Sequence, residues 1–158
     1  MLKDKINEDF KAAFKEKKEG EVSVLKMLKA AVLNKEKEKQ FQLGKAGEDA
    51  AQAALTDDDV IAVVSAEVKK LRDAIALFEQ GGRADLAAQN KKEIEVLMRY
   101  LPAQLGEDEI KKIVAGAIAQ AGAATVKDMG KVMGILMPKI KGRADSGLVG
   151  KLVKEALG

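Results

Sequence analysis

Cysteine, histidine and tryptophan are absent from these 158 residues, and tyrosine occurs once. Without cysteine there are no disulfides, thiolate zinc sites or thiol nucleophiles; without histidine there are no imidazole bases or imidazole metal ligands. Most hydrolase and metalloprotease chemistries are closed on those grounds. Carboxylates, lysines, arginines and hydroxyls remain, a set that suits binding better than covalent catalysis. Four phenylalanines imply an aliphatic core and leave little aromatic surface on which bases could stack, so any nucleic acid would be held by backbone and shape. No stretch approaches the roughly 18 apolar residues that span a bilayer. No apolar region follows the charges of Met1-Leu2-Lys3-Asp4-Lys5 either, so the expected location is cytoplasmic, with no membrane partner.

What is present is globular: 47% hydrophobic and 34% charged residues build a core and cover it. The length suits one compact domain or two small ones. The net charge of +3 is unevenly spread. Residues 1–100 hold 19 basic and 19 acidic groups, whereas residues 101–158 hold nine and six. The excess sits in the final third, the first place to look for an anionic partner.

Apolar residues recur at helical spacing almost throughout. Leu2, Ile6, Phe10, Ala13 and Phe14 form one stripe, and Val24, Leu25, Leu28, Ala31 and Val32 a second, which together predict a helical hairpin. Gln42 to Ala54 has no stripe and reads as a mobile connection. Thr56 before Asp57, Asp58 and Asp59 predicts an N-cap, a helix to about Gln80 and a stop at Gly81-Gly82. Its buried stripe is Val60, Ile61, Val64, Val68, Leu71, Ile75 and Phe78. Asp85 is expected to cap a fourth helix ending at Pro102, where a subdomain boundary is placed. Three short helices follow, at about Glu107–Ala121, Val126–Met137 and Ser146–Leu157, the second stopped by Pro138. The expected fold is all-α, with an N-terminal helical hairpin or bundle over 1–100 and a basic three-helix subdomain over 101–158.

Several motifs lack the geometry for chemistry. Consecutive helix residues point about 100° apart, so Asp57, Asp58 and Asp59 cannot converge on one cation and serve the helix dipole better. No Gly-Lys pair is followed by Ser or Thr, so no phosphate-binding loop of that type occurs. Glu93 and Glu95 face different directions. No catalytic residue, metal ligand or cofactor is assigned.

The stretch from Thr125 to Asp145 carries more. Thr125 and Asp128 resemble a capping box, and Met129, Met133, Leu136 and Met137 form an apolar stripe. Gly130 and Gly134 share one helix face, where each costs about 1 kcal/mol against alanine and asks for a reason. Two readings stand: close packing against another helix, which weighs more on the residues alone, and close approach of a nucleic-acid backbone. Lys127 and Lys131 add positive charge on a neighbouring face. After Pro138 an extended strip would place Lys139, Lys141 and Arg143 on one side at about 6.6 Å intervals. Leading into the start of the last helix, it is either a phosphate-gripping edge or a solvated basic loop. With Lys151, these residues make the candidate RNA-binding set. The repeat of Gly82-Arg83-Ala84-Asp85 as Gly142-Arg143-Ala144-Asp145 reads as turn chemistry used twice.

Met27-Leu28-Lys29-Ala30-Ala31, Leu55-Thr56-Asp57, Gly82 to Leu86, Tyr100-Leu101-Pro102-Ala103-Gln104-Leu105, Lys127 to Gly134 and Met137 to Asp145 together resemble the GatB/YqeY family. The resemblance spans nearly the whole chain and is most specific in the last 35 or so residues. It implies a helical module of two subdomains, similar to the C-terminal tail of the B subunit of glutamine-dependent tRNA amidotransferase. That tail helps hold tRNA, while a separate domain carries ATP, magnesium and amide-transfer chemistry. A carbon–nitrogen ligase label with glutamine as amido donor would be association, since this chain resembles only the tail. By position the resemblance carries RNA contact to Gly130, Lys131, Gly134, Lys139, Lys141 and Arg143. The expected function is a non-catalytic accessory protein that binds tRNA or accompanies amidotransferase or aminoacyl-tRNA machinery. The alternative is a protein-interaction adaptor docking through amphipathic helices.

Overall fold

A computed structural model describes residues 1–49 and 53–158. Among the described residues there are seven α-helices and no strand, so the chain is all-α. It divides into two compact units, Met1–Tyr100 and Leu101–Gly158.

In the first unit, α1 (Leu2–Lys15) and α2 (Glu19–Ala46) form the expected hairpin, followed by α3 (Asp57–Gln80) and α4 (Ala84–Met98). Ile6, Leu25, Leu28, Val60, Val64 and Leu97 are fully buried at its centre. Each such side chain contributes about 1.5–3 kcal/mol by leaving water. α3 begins as its sequence predicts. The Thr56 hydroxyl accepts from the Asp59 amide at 3.2 Å, and the Asp59 carboxylate accepts from the Thr56 amide at 3.0 Å. Lys39 donates to Asp59 at 3.2 Å and to the Ala54 carbonyl at 3.1 Å, tying α2 to this cap. Asp57 accepts from the Leu2 amide at 2.7 Å, so Asp57 and Asp59 serve different partners. Tyr100 closes the unit by donating its hydroxyl to Asp9 at 2.7 Å, with Lys5 over its ring. Burial, and then this bond, push the Tyr100 hydroxyl well above its ordinary value.

Three expectations need correction here. The Gln42–Ala54 connection is partly helix and partly core. α2 runs on to Ala46 and stops at Gly47, whose φ is +73°. Phe41, Gln42, Gly44 and Lys45 are exposed, so this end of the helix faces no core and leaves no stripe in the sequence. Ala53 and Leu55 are buried, while 50–52 lie outside the described residues. The second correction concerns α3, where Val60, Val64 and Val68 are buried but Ile61, Leu71, Ile75 and Phe78 are only half-buried. The third is Asp85, which sits inside the first turn of α4 rather than capping it. Arg83 holds its carboxylate with two bonds, of 3.1 and 3.0 Å.

The second unit packs α5 (Glu107–Ala121), α6 (Met129–Ile140) and α7 (Ser146–Leu157) around Ile110, Val114, Val132, Leu136, Ile140 and Val149. A 3₁₀ turn, Val126–Asp128, leads into α6. Pro138 does not stop α6, which passes through it to Ile140. An interior proline costs roughly 3 kcal/mol, and burying Ile140, 1% exposed, returns about 1.5–3 kcal/mol. Pro138 itself is exposed, so the bond it cannot make is lost where water reaches. The predicted stripe shifts as well. Val132, Leu136 and Ile140 face the core, Met129 and Met133 are half-buried, and Met137 is 44% exposed.

Candidate nucleic-acid interface

α6 sets the geometry of the basic surface. At about 100° per residue, burying Val132, Leu136 and Ile140 turns Gly130, Gly134, Met137 and Pro138 outward, and all four are exposed. A β-carbon built on Gly130 or Gly134 would meet no atom within 4 Å. The helix-packing reading of these glycines therefore fails within the fold. They leave a strip of bare helix backbone instead. Pro138 adds to it, because it has no amide to donate to the Gly134 carbonyl four residues earlier.

Lys127 and Lys131 are exposed beside this strip. Lys131 is 3.8 Å from Asp128, a loose contact for a side chain 73% exposed. Asp128 has other work, accepting from the Ala124 and Thr125 amides at 3.1 and 3.2 Å. Those two bonds, more than Lys131, hold its carboxyl below the ordinary range. Lys139 is exposed on α6 and makes no ion pair among the described residues. It lies about 80° further round the helix than Lys131.

The expected extended strip Lys139–Lys141–Arg143 does not form, because Lys139 is helical, Lys141 is the C-cap, and Gly142 turns the chain with φ at +70°. Arg143 is partly committed elsewhere. Its Nε donates to the Ala103 carbonyl at 3.3 Å, and its own carbonyl accepts from the Leu105 amide at 2.8 Å. Gln104 donates to the Gly142 carbonyl at 2.7 Å and to the Pro102 carbonyl at 2.9 Å. The loop of basic residues is thus stitched to segment 102–105. Sequence reasoning missed Gln104, since nothing local marks a partner 38 residues away.

Lys151 belongs to a different neighbourhood. It is 3.9 Å from Glu155, and its charge also reaches Glu107 at the start of α5, where Lys111 is the stronger partner. The structure therefore sets Gly130, Lys131 and Gly134 on the exposed side of α6, with Lys127 exposed on the 3₁₀ turn before it. It sets Lys139 at the edge of that side and keeps Lys141, Arg143 and Lys151 apart. Met137 and Pro138 join the bare strip without having been singled out as contacts. Elsewhere in the unit the acids are drawn into helix starts: Glu109 accepts from the Gly106 amide at 3.0 Å and Asp145 from the Leu148 amide at 2.9 Å. Cationic side chains beside uncovered backbone can approach a polyanion closely.

The family model described as Yqey-like protein matches residues 3–157. The chain is also similar to "Altered inheritance of mitochondria protein 41, mitochondrial" of Pyrenophora tritici-repentis, with 27% identity over 98% of this chain and 80% of that protein. No helix among the described residues is long and apolar enough to cross a membrane.

Proposed function

The chain belongs to the Yqey-like protein family, and from that premise we propose that it is a non-catalytic, cytoplasmic accessory protein that holds tRNA by its backbone through the C-terminal unit, in the company of aminoacyl-tRNA or amidotransferase machinery. One observation carries this reading. Gly130 and Gly134 leave α6 uncovered beside Lys127 and Lys131, at a cost of about 1 kcal/mol per glycine that packing does not explain. The cationic excess of the same unit adds long-range attraction. Backbone contact without aromatic stacking suits a folded RNA, and the similarity to an amidotransferase tail points to tRNA.

The test is a fluorescence-anisotropy titration with bulk tRNA at several salt concentrations, using an unstructured RNA of equal length as control. Replacing Lys127, Lys131 and Lys139 by Glu is expected to weaken tRNA binding at least tenfold and to reduce the salt slope by about one per lost phosphate contact. Gly130→Ala and Gly134→Ala should each stabilise the protein by up to about 1 kcal/mol while weakening tRNA binding. Gly116→Ala provides the control, because Gly116 is an equally open helix glycine on α5. It should stabilise without touching binding. Unchanged affinity and slope in the charge-reversal variant, or equal effects of all three glycine variants on binding, would remove α6 from the interface.

A further inference from the structure

The α1–α2 hairpin carries a groove that the C-terminal reading leaves unused. Buried Ile6 and Val32 and half-exposed Leu33 line it, around a space of about 270 Å³ open to solvent. At one end Lys3 of α1 pairs with Glu36 of α2 at 2.8 Å. At the other, the Lys29 ammonium of α2 lies 4.4 Å from the ring centre of Phe10 of α1. Along α1, Ile6, Phe10 and Phe14 recur every four residues, so the apolar strip continues beyond the cavity to Phe14. The Phe10 and Phe14 rings are stacked 6.4 Å apart, and Phe14 is 67% exposed. From Ile6 to Phe14 the strip is about 12 Å long.

Its charge is one-sided. Glu36, the acid at the groove, is already neutralised by Lys3. Lys11 lies between Asn7 and Phe14 on the same side of α1, and Lys26 lies one turn from Lys29 on α2. None of Lys11, Lys26 and Lys29 makes an ion pair among the described residues. An apolar floor two to three helical turns long, flanked by three uncompensated ammonium groups, has a defined complement.

We propose that this groove receives an acidic amphipathic helix of a partner protein, its apolar face on Ile6, Phe10, Phe14 and Leu33 and its carboxylates on Lys11, Lys26 and Lys29. Helix-in-groove recognition uses anchors at i, i+3, i+4 and i+7, which matches the length of the strip. A small ligand would fill the cavity and leave Phe14 in water. RNA is disfavoured because successive bases need successive open rings to stack on, and here Lys29 already covers one face of Phe10, so that only Phe14 stands open.

The experiment titrates the full chain into a fluorescein-labelled peptide of about 15 residues, long enough to form a helix, with leucines at those anchor positions and glutamates on both flanks. A scrambled peptide and one with lysines for the glutamates serve as controls. The patterned acidic peptide should bind at least tenfold tighter than either control. Leu33→Glu and Lys29→Glu should each weaken it tenfold or more. Both side chains lie at the surface, and circular dichroism checks that the variants remain folded. No binding, equal binding of the controls, or indifference to both substitutions overturns the proposal. So does loss of tRNA binding rather than peptide binding in these variants, which would make the groove an RNA surface. Gly130→Ala should leave peptide affinity unchanged, so failure here is separable from failure of the α6 reading.

Discussion

The two units are built from the same amphipathic helices but put their charges to different uses. In Met1–Tyr100, acids and bases are equal in number, and many meet: Lys3 with Glu36, Lys39 with Asp59, Lys91 with Glu79, Arg99 with Glu21. In Leu101–Gly158 the acids are fewer, and Glu109, Asp128 and Asp145 bind helix-start amides, while Lys127 and Lys139 are exposed and make no ion pair among the described residues. Surface pairs contribute little stability, about 0–1 kcal/mol each. The difference therefore bears on the field each unit projects more than on how firmly it folds. The repeated Gly-Arg-Ala-Asp turn makes the same point at small scale. Gly82 and Gly142 both take φ of +70°. After that Arg83 clamps Asp85, whereas Asp145 caps α7 and Arg143 reaches Ala103.

Emptying the core of each unit in turn should have the largest effect. Leu28→Ala and Leu136→Ala remove side chains that are 0% exposed, and each should cost about 2–5 kcal/mol in urea unfolding. Under conditions where both variants remain folded, only Leu136→Ala, which loosens α6, should impair tRNA binding. Equal impairment by Leu28→Ala would end the division of labour. Smaller losses are expected from single hydrogen bonds of the first unit. Tyr100→Phe deletes the bond to Asp9, and Thr56→Ala the hydroxyl cap of α3; each should cost about 1 kcal/mol with no change in tRNA affinity.

The smallest effect is a pH dependence. The Thr56 amide, and then Lys39, hold the folded Asp59 carboxyl below its ordinary value. The contribution is therefore complete above the unfolded carboxylate pKa and is lost as pH falls through the lower folded value. Asp59→Asn should flatten the acid limb of a stability-against-pH curve measured below about pH 4. Asp128→Asn should do the same in the second unit, where the Ala124 and Thr125 amides are the cause. An unchanged acid limb in either variant would take that carboxylate out of the stability balance.

Features that depend on residues within four of one another could be read before any fold was known. The Thr56 cap, the valines of the α3 stripe, the glycine stop at Gly81-Gly82 and the all-α class are of this kind, since helices are made of short-range bonds and a 3.6-residue period. The basic excess after residue 100 is likewise a matter of counting. What sits across from a residue is not. Gly130 and Gly134 read more readily as packing glycines, and only the placement of Val132, Leu136 and Ile140 against α5 and α7 turned them toward solvent. Pro138 read as a stop, yet α6 continues through it to bury Ile140, which offsets much of the cost of the lost hydrogen bond. The basic strip that periodicity predicted after it gave way to a loop held by Gln104 and Leu105, nearly 40 residues distant. Composition and local spacing determined the helices and the sign of the charge. Tertiary packing decided which side of α6 is bare and which lysines stand beside it, because burial is a property of neighbours that the local sequence does not contain.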